Sequence, residues 1–563
     1  MSGRHRPRGP LGRGGTRLPL ALSGVAVLVA VAVITVRIVA ADAAGCNGKL
    51  ALSVVATPEI APVIEEVGAS WTATKPRVNG QCIELSVDSA PAAVVASRLT
   101  VYAGRAIDVA AKPEPTPSEE SLPTVWVPDS TAWLTRVQTV DRSAFDPGAR
   151  AIASSPVVVA MPEAAARQVG WPARGLQVST LKPILSAGGL HLGIAEPRRE
   201  TASLAATMVL GEALATSDED LPQLVKTFRS VVQLSSTAEL LRSFGPRVTA
   251  GPASEQAVLA YNAGNPPLKL VPVPFEPAAP RLDYPFAIRA GLPREAAQAA
   301  VLFRTALLDK AAQELLARRA FRGPDGDVGA GFPVAGTSRS TIAGPAVNDR
   351  AKVQYALGMW AAANSPSRTL AMFDVTSSMG QTMPTQKGPR TRAQVMAEAA
   401  QTGLQLFTAD SHVGMWAFSA QHVEVLPIDA LSAERTALFN ARMATATPGP
   451  TNASPLYDTL LAAYKVMKDG YDPTRPNIIV VLTDGGDSSA GGLRLEKFKV
   501  ELQQLADATK PIRVVLIGVG VDAAGEADLR SIADAVGGGY FKLETPEQIQ
   551  TIFLKALLRV GAA

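Results

Sequence analysis

Apolar segments alternate with amphipathic ones throughout residues 46–345. The segment "KLALSVVAT" (49–57) predicts a strand, and a helix follows with Thr57 before its start and Pro58 in its first turn. The other strands predicted in this half are 82–88, 106–112, 124–129, 155–162, 190–197 and 268–274. Helical stretches separate them, which is typical of an α/β fold with mostly parallel strands.

The pattern changes after residue 321, where Gly, Pro and Ser become frequent and predict a domain boundary. The predicted organisation is a first domain at 46–321, a linker with a lead-in helix at 322–365, and a second domain at 366–563. Strands in the second domain are predicted at 369–374, 412–419, 423–428, 477–484, 513–520 and 539–544. The runs "IIVVL" and "VVLIGV" are apolar on both faces, as in parallel sheets covered by helices on each side. We therefore expect a doubly wound α/β domain.

The N-terminus carries a basic segment followed by an apolar one. Residues 1–17 hold five arginines and no acid, and residues 18–36 form a run of 19 positions without a charge. As a helix this run would be about 28 Å long, close to the bilayer core of about 30 Å. We therefore predict a single transmembrane signal-anchor helix at 18–41, with a cytoplasmic N-terminus and the bulk of the chain outside the cell. The alternatives are a signal peptide cleaved near 41–43 and lipidation of Cys46.

Charge and cysteine content narrow the classes of function. The net charge of +4 comes from the arginines up to Arg37, so the remainder is nearly neutral and offers no basic surface for nucleic acid. Two cysteines and four scattered histidines do not fit the spacing of a protein zinc site. In an oxidising compartment Cys46 and Cys82 predict a disulfide, with two buried thiols as the alternative. The composition, rich in alanine, valine and arginine, is typical of GC-rich genomes such as those of actinobacteria.

The first domain resembles bacterial extracellular solute-binding proteins. The resemblance is carried by "VVATPEIAPVIEEV", "VWVPDSTAWL", "SSPVVVAMP", "GIAEP", "SEQAVLAYN" and "LDYPFAI". It implies two lobes, a hinge, and a cleft that binds a small-molecule ligand reversibly without catalysis. Thr57, Ser154 and Ser155 stand at strand-to-helix turns and are the candidate ligand contacts, with helix capping as the alternative for each.

Chemistry is concentrated at the strand ends of the second domain. Two apolar strands end in Asp374 and Asp484, and ligands bind outside the carboxyl ends of such strands. Thr376 and Ser378 project to the same side as Asp374, and Thr451 stands in a Gly/Pro loop before a helix. Two carboxylates and three hydroxyls predict a site for Mg²⁺, or for Mn²⁺ or Ca²⁺, with a coordination position left for an acidic group of a partner. Helix capping is the alternative for the hydroxyl residues taken singly.

This pattern resembles the von Willebrand factor type A domain and its metal-ion-dependent adhesion site. The matching segments are "DVTSS" (374–378), "GPTN" around Thr451 and "LTDGGD" around Asp484. The resemblance covers 366–563 and implies that these five side chains bind the metal. The departure is Thr376, which stands where the family has serine, and it keeps the hydroxyl while adding a methyl group.

The leading hypothesis is a membrane-anchored extracellular binding protein, not an enzyme. A Mg²⁺-dependent second domain would bind a carboxylate of a protein partner, and the first domain would bind an unidentified solute. A solute receptor that serves a transport system is the alternative. The segment "MFDVT" also resembles the start of haloacid-dehalogenase-type phosphatases, but those carry a second Asp where this chain has Thr376.

Overall fold

The computed structural model describes residues 46–559 except 112–114, 334–336, 338–341, 343, 489–490 and 508. The predicted cytoplasmic segment 1–17 and transmembrane helix 18–41 lie outside the described residues. Within the described ranges, none of the helices combines the length and the apolar character that a membrane crossing requires.

The first half of the described chain contains short and medium strands. They are β1 (Lys49–Ala56), β2 (Arg77–Val78), β3 (Gln81–Ser89), β4 (Val125–Val127), β5 (Arg150–Ala151), β6 (Ser155–Pro162), β7 (Leu176–Gln177), β8 (Gly193–Ala195), β9 (Val232–Leu234), β10 (Gly251–Ser254), β11 (Leu270–Glu276), β12 (Arg281–Leu282) and β13 (Pro285–Ile288). Its helices are α1 (Ala61–Ala73), α2 (Ala92–Tyr102), α3 (Thr131–Val137), α4 (Glu163–Gln168), α5 (Leu181–Ser186), α6 (Thr201–Leu214), α7 (Leu221–Ser230), α8 (Thr237–Arg242), α9 (Glu255–Ala263), α10 (Arg294–Leu308) and α11 (Lys310–Arg318).

These strands form two main sheets, each the centre of one lobe. Lobe I has the order β2-β3-β1-β4-β13-β5, and lobe II has the order β10-β6-β11-β7, with β12 beside β6 and a separate β8-β9 pair. The chain passes from lobe I to lobe II between β5 and β6 and returns between β12 and β13. The predicted disulfide between Cys46 and Cys82 is present, with the two Cα atoms 5.3 Å apart, and it ties the start of lobe I to β3.

The strand directions differ from the mostly parallel arrangement that the sequence predicts. In lobe I, β1 runs parallel to β3 and β4, but β13 runs antiparallel to β4. In lobe II, β6 is antiparallel to β10, β11 and β12. β6 is buried along almost its whole length. A continuous apolar run predicts a buried strand but does not indicate whether its neighbours are parallel or antiparallel.

The second half contains β14 (Arg368–Asp374), β15 (Thr382–Met383), β16 (Arg390–Thr391), β17 (His412–Phe418), β18 (His422–Ala430), β19 (Asn477–Thr483), β20 (Ile512–Val519) and β21 (Gly539–Leu543). Its helices are α12 (Arg350–Asn364), α13 (Arg392–Leu404), α14 (Ala433–Ala444), α15 (Leu456–Asp469), α16 (Leu495–Leu505), α17 (Ala523–Ala535) and α18 (Ile549–Arg559). The main sheet has the order β18-β17-β14-β19-β20-β21, and every neighbouring pair is parallel except β17 and β18.

Helices cover both faces of this sheet. Alternate residues of β14 belong to different apolar cores, with Ala371 and Phe373 on the side of α13 and α18, and Leu370 and Met372 on the side of α15, α16 and α17. This arrangement is the doubly wound sheet that the sequence predicts. It places β14 and β19 side by side at the centre, so that their carboxyl ends open onto the same edge.

Helix α12 joins the two halves. It packs against α6 and α7 of lobe II and against α18 of the second domain. Trp360 of α12 is fully buried, and its ring lies 5.7 Å from that of Phe228. The Arg229 guanidinium of α7 donates to the carbonyl of Ala363 at 2.9 Å and also to that of Leu406. The second domain is therefore attached to lobe II through buried contacts.

Candidate metal site and ligand cleft

The candidate metal site begins at Asp374, the last residue of β14, which is only 1% exposed. Its Oδ1 accepts hydrogen bonds from the backbone N of Thr376 at 2.9 Å and from the Thr376 hydroxyl at 2.6 Å. Its Oδ2 accepts from the hydroxyl of Thr483, the last residue of β19, at 2.6 Å. The Asp374 carboxylate is therefore held in one orientation by the ends of two neighbouring strands.

Ser378 connects this carboxylate to the second acid. The Ser378 hydroxyl lies 2.9 Å from that of Thr376 and donates to Oδ1 of Asp484 at 3.0 Å. The structure thus brings four of the five predicted metal-binding side chains into one hydrogen-bonded row at the edge where β14 and β19 end.

Thr451 reaches the same place mainly through its backbone. Its carbonyl accepts from the backbone N of Ser377 at 2.8 Å, and its own hydroxyl accepts from the backbone N of Ala453 at 3.1 Å. The next residue, Asn452, accepts through Oδ1 from the Ser377 hydroxyl at 2.9 Å and from the backbone N of Ser378 at 3.0 Å. Ser377 and Asn452 are not among the predicted metal-binding residues, but the structure shows that they fasten the two loops of the site together.

Arg392 is a component of the site that the sequence does not reveal. This first residue of α13 places Nη1 2.8 Å from Oδ2 of Asp484, and both side chains are largely buried. Gly520, at the end of β20, has a φ of +62°, and a Cβ there would lie 2.9 Å from Nε of Arg392. Glycine therefore leaves room for the guanidinium to reach the acid.

The electrostatics of the two acids differ. Burial raises the pKa of the Asp374 carboxyl, and the neighbouring Asp484 carboxylate adds to the rise. The hydrogen bonds from Thr376 and Thr483 act in the opposite direction. Asp484 has a full positive charge beside it in Arg392, whereas Asp374 is surrounded by neutral donors.

The donor set fits a hard divalent cation. It consists only of carboxylate and hydroxyl oxygens within hydrogen-bonding distance of one another, which is the ligand type that Mg²⁺ and Ca²⁺ prefer. Among the described residues, no group of three or more His, Cys, Asp and Glu side chains is close enough to hold a metal ion. A metal at this site would therefore need the hydroxyls of Thr376 and Ser378 as well as the carboxylates.

A second candidate site is the cavity of about 780 Å³ at the boundary between lobes I and II. Thr57 lies on its wall, with only 3% of its surface exposed. Ser154 and Ser155 are fully buried elsewhere: the Ser154 hydroxyl donates to the carbonyl of Gly323 at 2.6 Å, and the Ser155 hydroxyl accepts from the backbone N of Gln256 at 3.0 Å. The structure therefore brings one of the three predicted ligand contacts to the cavity and uses the other two in backbone contacts.

Sequence reasoning also misses three acids on the cavity wall, namely Glu59, Asp129 and Glu200. Glu59 and Asp129 follow the parallel neighbours β1 and β4 of lobe I, and Glu200 directly precedes α6 of lobe II. Their position at the ends of predicted strands, in "TPEI", "VPDS" and "EPRRE", is the sequence feature that could have identified them as candidate ligand contacts.

Comparisons with known proteins agree with this architecture. Residues 52–322 match the family described as bacterial extracellular solute-binding protein, and residues 373–555 match the von Willebrand factor type A domain. The uncharacterized protein Rv1836c of Mycobacterium tuberculosis strain H37Rv is 25% identical over 546 residues, covering 89% of this chain and 76% of that protein.

Solved structures of both kinds are similar to parts of the chain. A periplasmic thiamin binding protein is 12% identical with a TM-score of 0.39, covering 56% of this chain and 96% of that one. A von Willebrand factor type A structure from Catenulispora acidiphila is 19% identical with a TM-score of 0.28, covering 34% of this chain and 42% of that one.

Both matched families consist of binding domains rather than enzymes. The order of the two matches is the order in which the structure places the two-lobed half and the doubly wound half. The chain therefore contains a segment, residues 52–322, that matches bacterial extracellular solute-binding proteins, followed by a segment, residues 373–555, that matches the von Willebrand factor type A domain.

Proposed function

We propose that this chain is a membrane-anchored extracellular binding protein whose second domain captures an acidic group of a protein partner at a Mg²⁺ site. The site would consist of Asp374, Thr376, Ser378, Thr451 and Asp484. The observation that carries the proposal is the row of hydrogen-bonded carboxylates and hydroxyls at the edge where β14 and β19 end. Mn²⁺ or Ca²⁺ could replace Mg²⁺, because both also take oxygen ligands.

The residues of this chain prepare the site before any partner arrives. Three donated hydrogen bonds fix the Asp374 carboxylate, and Asn452 holds the Thr451 loop against the loop after β14. When bound, the cation would supply a coordination position that a carboxylate of the partner could occupy. The two carboxylates of the site are offset in part by Arg392, which favours a further negative charge from the partner.

Mg²⁺ titration of the purified full chain by calorimetry tests the metal assignment. We expect binding by the wild type and a loss of binding in Asp374→Ala. A matched control is Asp528→Asn, because Asp528 is an exposed acid of α17 near the same edge of the sheet and takes no part in the row. Equal Mg²⁺ binding by the wild type and Asp374→Ala would overturn the assignment.

A pull-down with and without EDTA tests whether a protein partner binds through the metal site. Tagged chain should retain a specific protein from solubilised cell envelopes when Mg²⁺ is present and lose it when EDTA is added. The Asp374→Ala variant should fail to retain that protein even with Mg²⁺. A partner retained equally in EDTA would contradict a metal-dependent contact.

Membrane attachment is part of the proposal and rests on the sequence of residues 1–41. The full chain should sediment with membranes and resist extraction by alkaline carbonate. A variant in which a cleavable signal peptide replaces residues 1–41 should be released into the soluble exported fraction, because it keeps an export signal and loses the anchor. Extraction of the full chain by carbonate alone would argue for a peripheral protein or a cleaved signal peptide.

The cavity between the lobes supports a second candidate function, that of a solute receptor for a transport system. Deletion of the gene should then abolish uptake of one solute, and the Asp374→Ala variant should restore that uptake fully. Under the leading proposal, uptake should be unchanged by the deletion and partner capture should require the metal site.

A further inference from the structure

Three carboxyl groups line the cavity between the lobes. Glu59 and Asp129 approach it from lobe I, and Glu200 approaches it from lobe II. Within the described parts of the chain, none of these three carboxyl groups forms an ion pair with Lys, Arg or His, whereas the enclosed acids Glu196, Glu255 and Asp484 each have an arginine partner.

The three acids are close enough to affect one another. Burial raises the pKa of Asp129 well above its usual range, and the Glu59 carboxylate raises it further. Burial also raises the pKa of Glu59 and of Glu200, and Glu59 adds to the rise at Glu200. A positive group in the cavity would stabilise the ionised forms of these three acids. The raised pKa values therefore favour a cationic ligand.

The positive side chains of the cavity do not neutralise these acids. Arg199 lies near Glu200 and lowers its pKa, but this is the smallest of the effects on that carboxyl. Arg318 and Arg319 are exposed residues at the end of α11, and Arg319 lies 3.6 Å from Glu66. The wall shared by Glu59 and Asp129 therefore offers two carboxyl groups to a positive ligand, with Arg136 outside the cavity lining as a further cation near Asp129.

Two buried hydroxyls on the same wall give an independent indication of a ligand. Thr57 is 3% exposed and Tyr284 is 0% exposed, and both line the cavity. Neither hydroxyl makes a hydrogen bond of full geometry among the described residues, although both lie close enough to the Glu59 carboxyl to lower its pKa. A buried polar atom without a partner is costly, and a bound molecule that donates or accepts a hydrogen bond would remove that cost.

We propose that this cavity binds a small organic amine that carries two or more positive charges. The three carboxyl groups approach the cavity from two different lobes, which favours positive charges spread along a molecule. Apolar side chains, including Val63, Leu241 and Leu259, line the remaining wall and would contact the methylene groups of such an amine. This inference rests on the proposed solute-binding role of the first domain and names its ligand class.

Calorimetric titration of the full chain with spermidine tests the proposal, with sulfate as the anionic comparator. Spermidine should bind and sulfate should not. Glu59→Gln, Asp129→Asn and Glu200→Gln should each weaken spermidine binding at least about tenfold, the equivalent of about 1.4 kcal/mol. The matched control is Glu65→Gln, because Glu65 is an exposed acid of α1 that does not line the cavity.

A second measurement does not depend on the folding of variants. Spermidine binding to the wild type should release protons, because a bound cation favours the ionised forms of carboxyls whose pKa is raised. Titrations in two buffers with different ionisation enthalpies measure that release, and the affinity should fall as pH is lowered. Binding without proton release would overturn the role of these acids.

The metal proposal and the amine proposal can be tested independently of each other. Asp374→Ala and EDTA should leave spermidine binding unchanged, whereas Glu59→Gln should leave Mg²⁺ binding unchanged. Sulfate binding without spermidine binding would overturn the amine assignment, as would equal spermidine affinity in the wild type and all three cavity variants.

Discussion

Arg392 acts as a built-in cation at the candidate metal site, and its removal gives the sharpest prediction. Its Nη1 lies 2.8 Å from Oδ2 of Asp484, with side-chain exposures of 19% and 6%. Unit charges 4 Å apart interact by about 1 kcal/mol in water and about 4 kcal/mol at an effective dielectric constant of 20. A divalent cation must compete with this guanidinium for Asp484. Arg392→Gln should therefore tighten Mg²⁺ binding by roughly fivefold to several hundredfold.

Calorimetric Mg²⁺ titration of the wild type and Arg392→Gln measures this gain. Arg390→Gln is the matched control, because it removes the same charge two residues away, where Arg390 contacts Glu398 instead. Without Mg²⁺, Arg392→Gln should also lower the free energy of unfolding by about 3 kcal/mol, since Asp484 loses its counter-charge. Unchanged or weaker Mg²⁺ binding in Arg392→Gln, or an equal gain in Arg390→Gln, would refute the competition.

Three further predictions concern stability. Replacing Cys46 and Cys82 with serine should lower the free energy of unfolding by about 4 kcal/mol for a sequence separation of 36, as measured by chemical denaturation. Without ligand, stability should fall as pH rises through the raised pKa of Glu59, because the folded chain holds that proton more tightly, and Glu59→Gln should reduce this slope in thermal melts. Trp360→Ala should lower the free energy of unfolding by about 3–5 kcal/mol. Calorimetry should show that the unfolding transitions of both halves shift, and a shift of one transition alone would contradict a shared interface.

The second domain could be predicted from the sequence because its strands carry an unambiguous pattern. All seven residues of β19 are buried, and so are the last six of β14. A doubly wound sheet places such strands centrally, and this rule alone brings Asp374 and Asp484 together. The juxtaposition of the two acids with Thr376 and Ser378 therefore follows from local sequence and topology.

Other parts of the site depend on packing that a sequence pattern does not encode. Arg392 reaches Asp484 only because α13 begins next to the end of β20, where Gly520 leaves space. Thr483 looks like an ordinary strand residue, and its role as a donor to Asp374 requires the exact register of β14 with β19. Long-range placement of this kind appears only once the sheet is assembled.

The first domain was harder to predict for a related reason. The buried run of β6 gives no sign of direction, so the antiparallel pairs of lobe II could not be foreseen. Ser154 and Ser155 had the residue type and position of ligand contacts, but their side chains face the protein interior. A strand-to-turn position limits where a residue lies and leaves the direction of its side chain open.

The buried attachment of α12 has a mechanical meaning. Lobe II and the second domain both pack against α12, with Trp360 and Arg229 among the contacts. A rotation of lobe II would therefore also move the sheet edge at which β14 and β19 end. Lobe I also contacts α12 through α3, so a rotation of lobe II relative to lobe I would have to change that contact. Solute capture would then change the direction in which the proposed metal site faces, and its chemistry would stay the same.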